Sequence, residues 1–377
     1  MTGVLEGLRI IEFAGIGPAP FCGMMLADHG AEVIRIGRKG VGPNLPHTVL
    51  FRGRRTITVD LKQPKGVDFV RRLCERSDGL IEGFRPGVME RLGLGPEELL
   101  SRNDQLVYGR ITGWGQEGPL ADRAGHDINY LSIAGALHTV GRHGERPVPP
   151  VNYVADFGGG GMLLAFGMVA ALLAVARGGK GQVVDTAMVD GTALMLAMNW
   201  GLMGADMWRD ERGCNLLDGG AHFYDTYETA DGKFVAIGPV EPQFYAQLLE
   251  KLGLADDPDL ARQMDPNTWE AGRGKLASVF KTKPRAHWED LFSGSDACLS
   301  PVLSMKEAAG HPHNVARGTY VEVDDLMQPD AAPRFSKTPA RKLDSPQDRP
   351  DDRDAIVLET GYSQAEADAM RQSGIID

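Results

Sequence analysis

The 377-residue chain has only four cysteines, Cys22, Cys74, Cys214 and Cys298, and no CxxC pair among them. So few cysteines offer no spacing that marks a zinc site, and reduced thiols in a cytoplasmic protein fit best. Positive charge is also in deficit, with 40 Lys and Arg against 51 Asp and Glu and a formal net charge of -11. Nucleic acids and anionic membranes need broad positive faces, so the expected partner is a small molecule. The opening stretch MTGVLEGLRIIEF lacks the positive flank, apolar core and cleavage site of a signal peptide and is expected to enter the fold directly. Long apolar runs are missing too. The longest, Met162 to Ala176, is too short to span a bilayer and reads as a buried helix. There is no internal repeat, and no low-complexity stretch beyond the four glycines at 158–161.

What is present is 42% hydrophobic residues over a length that buries a sizeable core, as two domains or one large domain with insertions. LRIIEF, the loop AGIGPAP, the helix-like FCGMMLADHG and AEVIRI form a βαβ unit. Strand patterns recur at TITVDL, GLIEGF, LVYGRIT and QVVDTAM, with helical patterns between them at Lys65 to Arg76 and Pro96 to Ser101. Such alternation predicts a mainly parallel sheet with helices on both faces. The first loop is a poor dinucleotide fingerprint: proline stands where GxGxxG needs glycine, and Arg35, Arg38 and Lys39 replace an acidic ribose partner.

After about residue 190 the pattern changes. ALMLAMNWGLMGADMW reads as one Met-rich helix, either packed inside or forming an adaptable apolar surface. YDTYETADGKFVAIG reads as a β-hairpin turning at Asp231-Gly232, and helices are expected at Glu241 to Lys251 and Arg285 to Phe292. The stretch Pro329 to Asp354 reads as an extended linker, followed by a short helix near Ser363 to Gln372.

Between Arg35 and Arg91 there are 13 Lys or Arg against 6 Asp or Glu, a local reversal of the overall balance. Lys65, Arg71, Arg72 and Arg76 share one helical segment and read as a solvated face. Arg38, the RGRR run at Arg52 to Arg55, Lys62 and Arg85 fall at strand ends or loops, where arginine forks suit phosphates. His126 and Asp127 precede the apolar helix INYLSIAGALHTV. Asp127 reads as its N-cap, yet a helix start also offers free N–H groups to a developing oxyanion. Asp156, beside a four-glycine turn, reads as a cap or a reactive carboxylate; Glu241, before Pro242, as a first-turn charge. His311-Pro312-His313 lacks the neighbours of a metal set, and His222 is left open.

Taken in order, GLRIIEFAGIGPAPFCGMMLADHGAEVIRI, VDLK, LIEGFRPGVMERLGLG, RITGWGQEGP, AGHDINY, ADFGGGG, GQVVDTAMVDG, YDTYETADGKFVAIG and SDACLSPV resemble the family III CoA-transferase superfamily, most of all its bacterial α-methylacyl-CoA racemases. The resemblance runs to about Phe335. It implies an α/β fold with a Rossmann-like large domain over 1–190, completed by 330–377, a linker over 191–224 and a small α+β domain over 225–320. It further implies an interlocked homodimer, with the active site between the large domain of one subunit and the small domain of the other. CoA, part of the acyl-CoA substrate, is implied to lie near Ile16, Arg38, Asp60, Lys62, Gly83, Arg85 and Arg91, with Tyr130 lining the way inward. No cofactor and no metal are implied.

Two branches differ in chemistry. In the transferases the residue matching Asp156 forms a covalent aspartyl-CoA thioester, helped by a glycine-rich small-domain loop. Here that loop reads IGPVEPQF. In the racemases the same aspartate and the residue matching His126 are opposed bases, and Glu241 supports the histidine from the other subunit. All of these positions are filled here, so the resemblance implies a racemase. The backbone N–H of Asp127, where the helix begins, is the candidate donor to a developing enolate oxygen. A CoA-transferase and a non-catalytic CoA-binding homologue are the alternatives.

Overall fold

The computed structural model describes residues 3–38, 49–343 and 352–377; Lys39 lies outside them. The chain divides into two compact units, the first made of 1–134, 151–195 and 315–377, the second of 135–150 and 196–314.

The first unit is built on six strands: β1 (Arg9–Phe13), β2 (Glu32–Arg38), β3 (Arg54–Val59), β4 (Gly79–Glu82), β5 (Val107–Thr112) and β6 (Val183–Ala187). Every adjacent pair is parallel and the order is β3-β2-β1-β4-β5-β6, the order of the doubly wound dinucleotide fold. Parallel strands need helical crossovers, which cover both faces, and the side chains of β1 alternate accordingly. Ile11 and Phe13 join one apolar cluster with Phe69, Leu73 and Tyr108; Ile10 joins the other with Leu26, Leu164 and Met168. The Pro64–Cys74 helix shows how local sequence serves this: proline opens it, Phe69, Val70, Leu73 and Cys74 are buried, and Arg71 and Arg72 close its last turn. The carboxyl-terminal end returns to the same core. Ile376 bridges Val59 in antiparallel fashion, Asp60 N–H donates to Ile375 O at 2.8 Å, and Ile356 and Met370 are buried in the Phe69 cluster. Pairing of this kind covers the otherwise open β3 edge.

Two helical expectations are corrected. The glycines at 158–161 do not turn. Residues Tyr153–Met162 wind as a π-helix that runs directly into Leu163–Ala176. The glycines are there for close approach: a Cβ on Gly159 would lie 2.8 Å from Thr192 N, and one on Gly161 2.8 Å from the Pro18 carbonyl. The continuous run, Tyr153–Ala176, is 24 residues, long and apolar enough by length and composition to cross a membrane, and its most apolar window is 44% buried rather than wholly inside. Leu164, Met168 and Leu172 pack on the sheet, whereas Phe166 and Leu173 are exposed. The Met-rich segment is two helices, Met188–Met195 and Ala197–Gly204, with Leu196 between them; Met195, Met198, Trp200 and Met207 are exposed.

The second unit carries the expected hairpin, β7 (Asp225–Glu228) against β8 (Phe234–Ile237), extended by β9 (Leu299–Pro301). Its core joins Phe223, Tyr245, Trp269, Phe280 and Trp288. The Pro242–Leu252 and Arg285–Phe292 helices lie where expected. A third, Trp269–Phe280, escapes the sequence reading because two glycines lower its helix propensity. One of them, Gly272, is required by packing: a Cβ there would lie 2.9 Å from the His222 ring. His222 is a core residue, its Nε2 2.7 Å from the Tyr245 hydroxyl. Burial lowers its pKa to about 4.

Candidate active site

In this strand order the chain reverses direction between β1 and β4, and the crevice beyond their carboxyl ends is where such sheets bind ligands. The turn after β1 ends at Gly17, whose φ of 68° opens the Pro18–Asp28 helix. A Cβ on Gly17 would sit 3.5 Å from Asp156 Oδ2, so the Asp156 carboxylate stands against this turn.

Asp156 lies in the first turn of the π-helical segment, a geometry often retained at functional sites. Asn152 Nδ2 donates to its Oδ2 at 3.1 Å. Burial raises the Asp156 pKa, the Asn152 hydrogen bond lowers it, Asp127 adds to the rise, and His126 opposes it. The four residues therefore share one electrostatic environment within the first unit. Asn152 is a residue that sequence reasoning missed, although its place one helical turn before Asp156 was the available signal.

His126 immediately precedes the Asp127–Ala134 helix and is exposed. Its carbonyl accepts from the Asn129 and Tyr130 N–H groups, and its own N–H donates to Asn129 Oδ1 at 3.0 Å. Its imidazole makes no hydrogen bond among the described residues of this unit.

Asp127 does not cap its own helix, as the sequence suggested. A capping side chain belongs to the residue before the first helical one, which is His126; Asp127 is one position further on. It is 6% exposed, and its Oδ2 accepts from Ala155 N–H and Asp156 N–H, each at 2.9 Å. Those N–H groups belong to the first turn of the next helical segment, where no intrahelical acceptor exists. Asp127 thus caps the segment that carries Asp156.

Tyr130 is equally buried, its hydroxyl donating to the Gly125 carbonyl and its ring edge-on to Trp114 at 4.8 Å. Burial, followed by the charges of Asp156 and Asp127, pushes its phenol up to about 12. Glu241 is in the second unit, an exposed residue at the N-cap of the Pro242–Leu252 helix that makes no side-chain cap bond.

Of the basic run, the RGRR reading is corrected. Arg52 is buried with its guanidinium on both Asp28 oxygens, Arg54 donates to Glu12 Oε2 at 2.6 Å, and Arg55 pairs with Glu32, Asp352 and Glu359. Their charge is consumed within the fold. Arg38, Lys62, Arg85 and Arg91 differ: all four are exposed, Arg38 ends β2 and the others come after β3 or β4, and they make no salt bridge among the described residues. Ile16, 65% exposed, and the exposed Gly83 follow β1 and β4. Asp60 accepts from Lys62 N–H and Gln63 Nε2, both at 3.1 Å, fixing the turn before the Pro64–Cys74 helix. His311 and His313 flank the start of the Pro312–Arg317 helix and join no group of potential metal ligands among the described residues.

Residues 5–350 match the sequence profile of CoA-transferase family III. The chain is 49% identical over 339 residues to a mouse (Mus musculus) protein named alpha-methylacyl-CoA racemase, covering 89% of this chain and 88% of that one. The human (Homo sapiens) protein of the same name is 47% identical over 337 residues, covering 89% and 87%. A CAIB/BAIF family protein from Brucella suis superposes with a TM-score of 0.79 at 26% identity, over 96% of this chain and all of its own. With the doubly wound sheet, the short antiparallel unit and a match along nearly the whole sequence, the chain belongs to CoA-transferase family III.

Proposed function

We propose that this chain is an α-methylacyl-CoA racemase, an isomerase that interconverts (R)- and (S)-2-methylacyl-CoA thioesters through an enolate. The observation that carries the reading is that Asp127, next to His126 in the chain, accepts from Asp156 N–H at 2.9 Å and so brings the His126 segment to Asp156, whose pKa burial raises. A racemase must remove a weakly acidic α-proton from one face and return a proton to the other, so it needs two groups that both accept and donate. A half-buried carboxylate with an elevated pKa meets that need from one side, and an imidazole, which can both accept and donate a proton, from the other. The names and identities of the mouse and human relatives support the same reading.

His126 takes the proton in one direction while protonated Asp156 returns one; in the reverse direction the roles exchange. Asn152 orients the Asp156 carboxylate. The thioester oxygen gains charge as the enolate forms, and the Asp127 N–H, in the first turn of its helix, is the donor we assign to it, a contribution of about 3 kcal/mol. Glu241, supplied by the second subunit of a homodimer, orients the imidazole and stabilises its charged form. CoA lies along the carboxyl edge, its phosphates on Arg38, Lys62, Arg85 and Arg91 near Ile16, Asp60 and Gly83, while Tyr130 supports the inner wall. The chemistry calls on no metal or cofactor, and the composition supports a cytoplasmic location.

Incubation of each 2-methylacyl-CoA enantiomer in heavy water tests this. Wild-type protein is expected to incorporate α-deuterium into both, and His126→Ala to lose about 100- to 10,000-fold of that exchange with CoA binding retained. A stable hydroxamate on Asp156 after acyl-CoA and hydroxylamine treatment would instead assign covalent CoA transfer. No exchange from either enantiomer would leave a CoA-binding protein without turnover.

A further inference from the structure

We infer that His143, Glu211 and Cys214, all in the second unit, form a binding site for a zinc-class divalent cation. Seventy-one residues separate His143 from Cys214 in sequence, yet an imidazole nitrogen, a carboxylate oxygen and the Cys214 Sγ all lie within 4.8 Å of one another. Ligand atoms around a tetrahedral Zn2+ stand roughly 3.5 Å apart, so side-chain rotation alone closes the remaining distance.

The backbone beneath these side chains is built rather than loose. Asn215, 4% exposed, accepts from Arg209 N–H and donates to the Arg209 and Glu211 carbonyls. Asp218 accepts from the Gly213, Asn215 and Gly220 N–H groups. Together these bonds hold Glu211 and Cys214 three residues apart on a fixed loop. The same loop is pressed onto the turn that carries His143. Gly213 has φ 65°, and a Cβ on it would lie 2.4 Å from His143 N, so a residue with no side chain permits the approach.

The donor set selects the ion. Thiolate, imidazole and one carboxylate suit a borderline-soft cation, whereas Ca2+ and Mg2+ ask for oxygen alone. Three protein ligands leave a fourth position for water. Thiolate and carboxylate together balance a dication. Binding forms the metal–sulfur bond and releases the Cys214 thiol proton to solvent, a proton that burial, foremost, holds above the ordinary thiol range in the free protein. Two present contacts yield: the Sγ donation to the Glu211 carbonyl at 3.3 Å and the exposed pair between Arg209 and Glu211 at 3.0 Å. The ion would clamp the His143 turn to the Glu211–Cys214 loop and takes no part in the proton transfer.

The test uses reduced, chelator-treated full-length protein titrated with Co2+ and then Zn2+. One Co2+ per chain should bind with a thiolate-to-metal charge-transfer band, and Zn2+ should displace it. Cys214→Ser should abolish the band, His143→Ala should weaken Zn2+ binding about 10-fold or more, and Cys298→Ser should leave both unchanged. Absence of the band in the wild-type protein, its persistence in Cys214→Ser, or Zn2+ affinity unchanged in His143→Ala would each overturn the site.

Discussion

Two regions of the first unit treat charge in opposite ways. Behind the strands, Glu12 is fully buried and held by Arg54, Asp28 by Arg52, and Glu82 by Arg110 at 2.7 Å. Arg35 adds charge to the first of these pairs, 3.8 Å from Glu12 Oε1, without hydrogen bonding to it. At the carboxyl edge Arg38, Lys62, Arg85 and Arg91 have no carboxylate in salt-bridge contact among the described residues, and Asp156 is met by an amide rather than a guanidinium. The difference teaches how to divide a basic segment. Arginines matched inside the chain serve the fold, and cations left unmatched at a ligand-binding edge await an anion from outside.

The comparison breaks most readily at Arg54. Removing it in Arg54→Ala leaves Glu12 buried without its main partner, and the expected loss is about 3–5 kcal/mol, read from the shift of the urea midpoint. Glu12 has its pKa raised by burial against the pull of Arg54, so the variant should recover stability as acid protonates the orphaned carboxylate. If stability instead stays at the wild-type level, the inner arginines are not committed to the fold. At the other region, Arg38→Ala and Arg85→Ala should each raise the Kd for CoA about 10-fold, with a steeper fall in salt sensitivity than any change in melting temperature. A drop in thermal stability without weaker CoA binding would erase the distinction between the two groups.

The smallest expected effect sharpens the account of Asp156. Its carboxylate form is the proton acceptor in one direction, so that direction loses rate as pH falls through its pKa. Asn152→Ala removes a hydrogen bond that lowers this pKa, and the acidic limb of kcat/KM should move to higher pH. Asp127→Asn removes a charge that raises it while keeping an oxygen for the Ala155 and Asp156 N–H groups, so the limb should move down. Coincident shifts in the same direction would show that both residues act on the backbone rather than on the carboxylate.

The six strands were legible in the sequence because apolar β-rich runs between helical patterns have few other homes, and the β7–β8 hairpin because Asp231-Gly232 fits a tight turn. The 158–161 glycines were misread because a glycine demanded by packing looks like one demanded by a turn. Only their neighbours, Thr192 and Pro18, distinguish the two.

The candidate site divides in the same way. His126, Asp127 and Asp156 drew notice as residues at helix starts, but which N–H groups Asp127 satisfies depended on how two distant segments meet.

By itself, then, the sequence determined the alternation of strands and helices, the family motifs and the local excess of positive charge, since all of these are written in adjacent residues. Tertiary structure decided the rest: which arginines are spent on buried carboxylates, which helix Asp127 caps, and the meeting of His143 with Cys214. Those outcomes depend on pairwise distances between segments tens to hundreds of residues apart, and Coulombic and hydrogen-bond energies are set by such distances rather than by order along the chain.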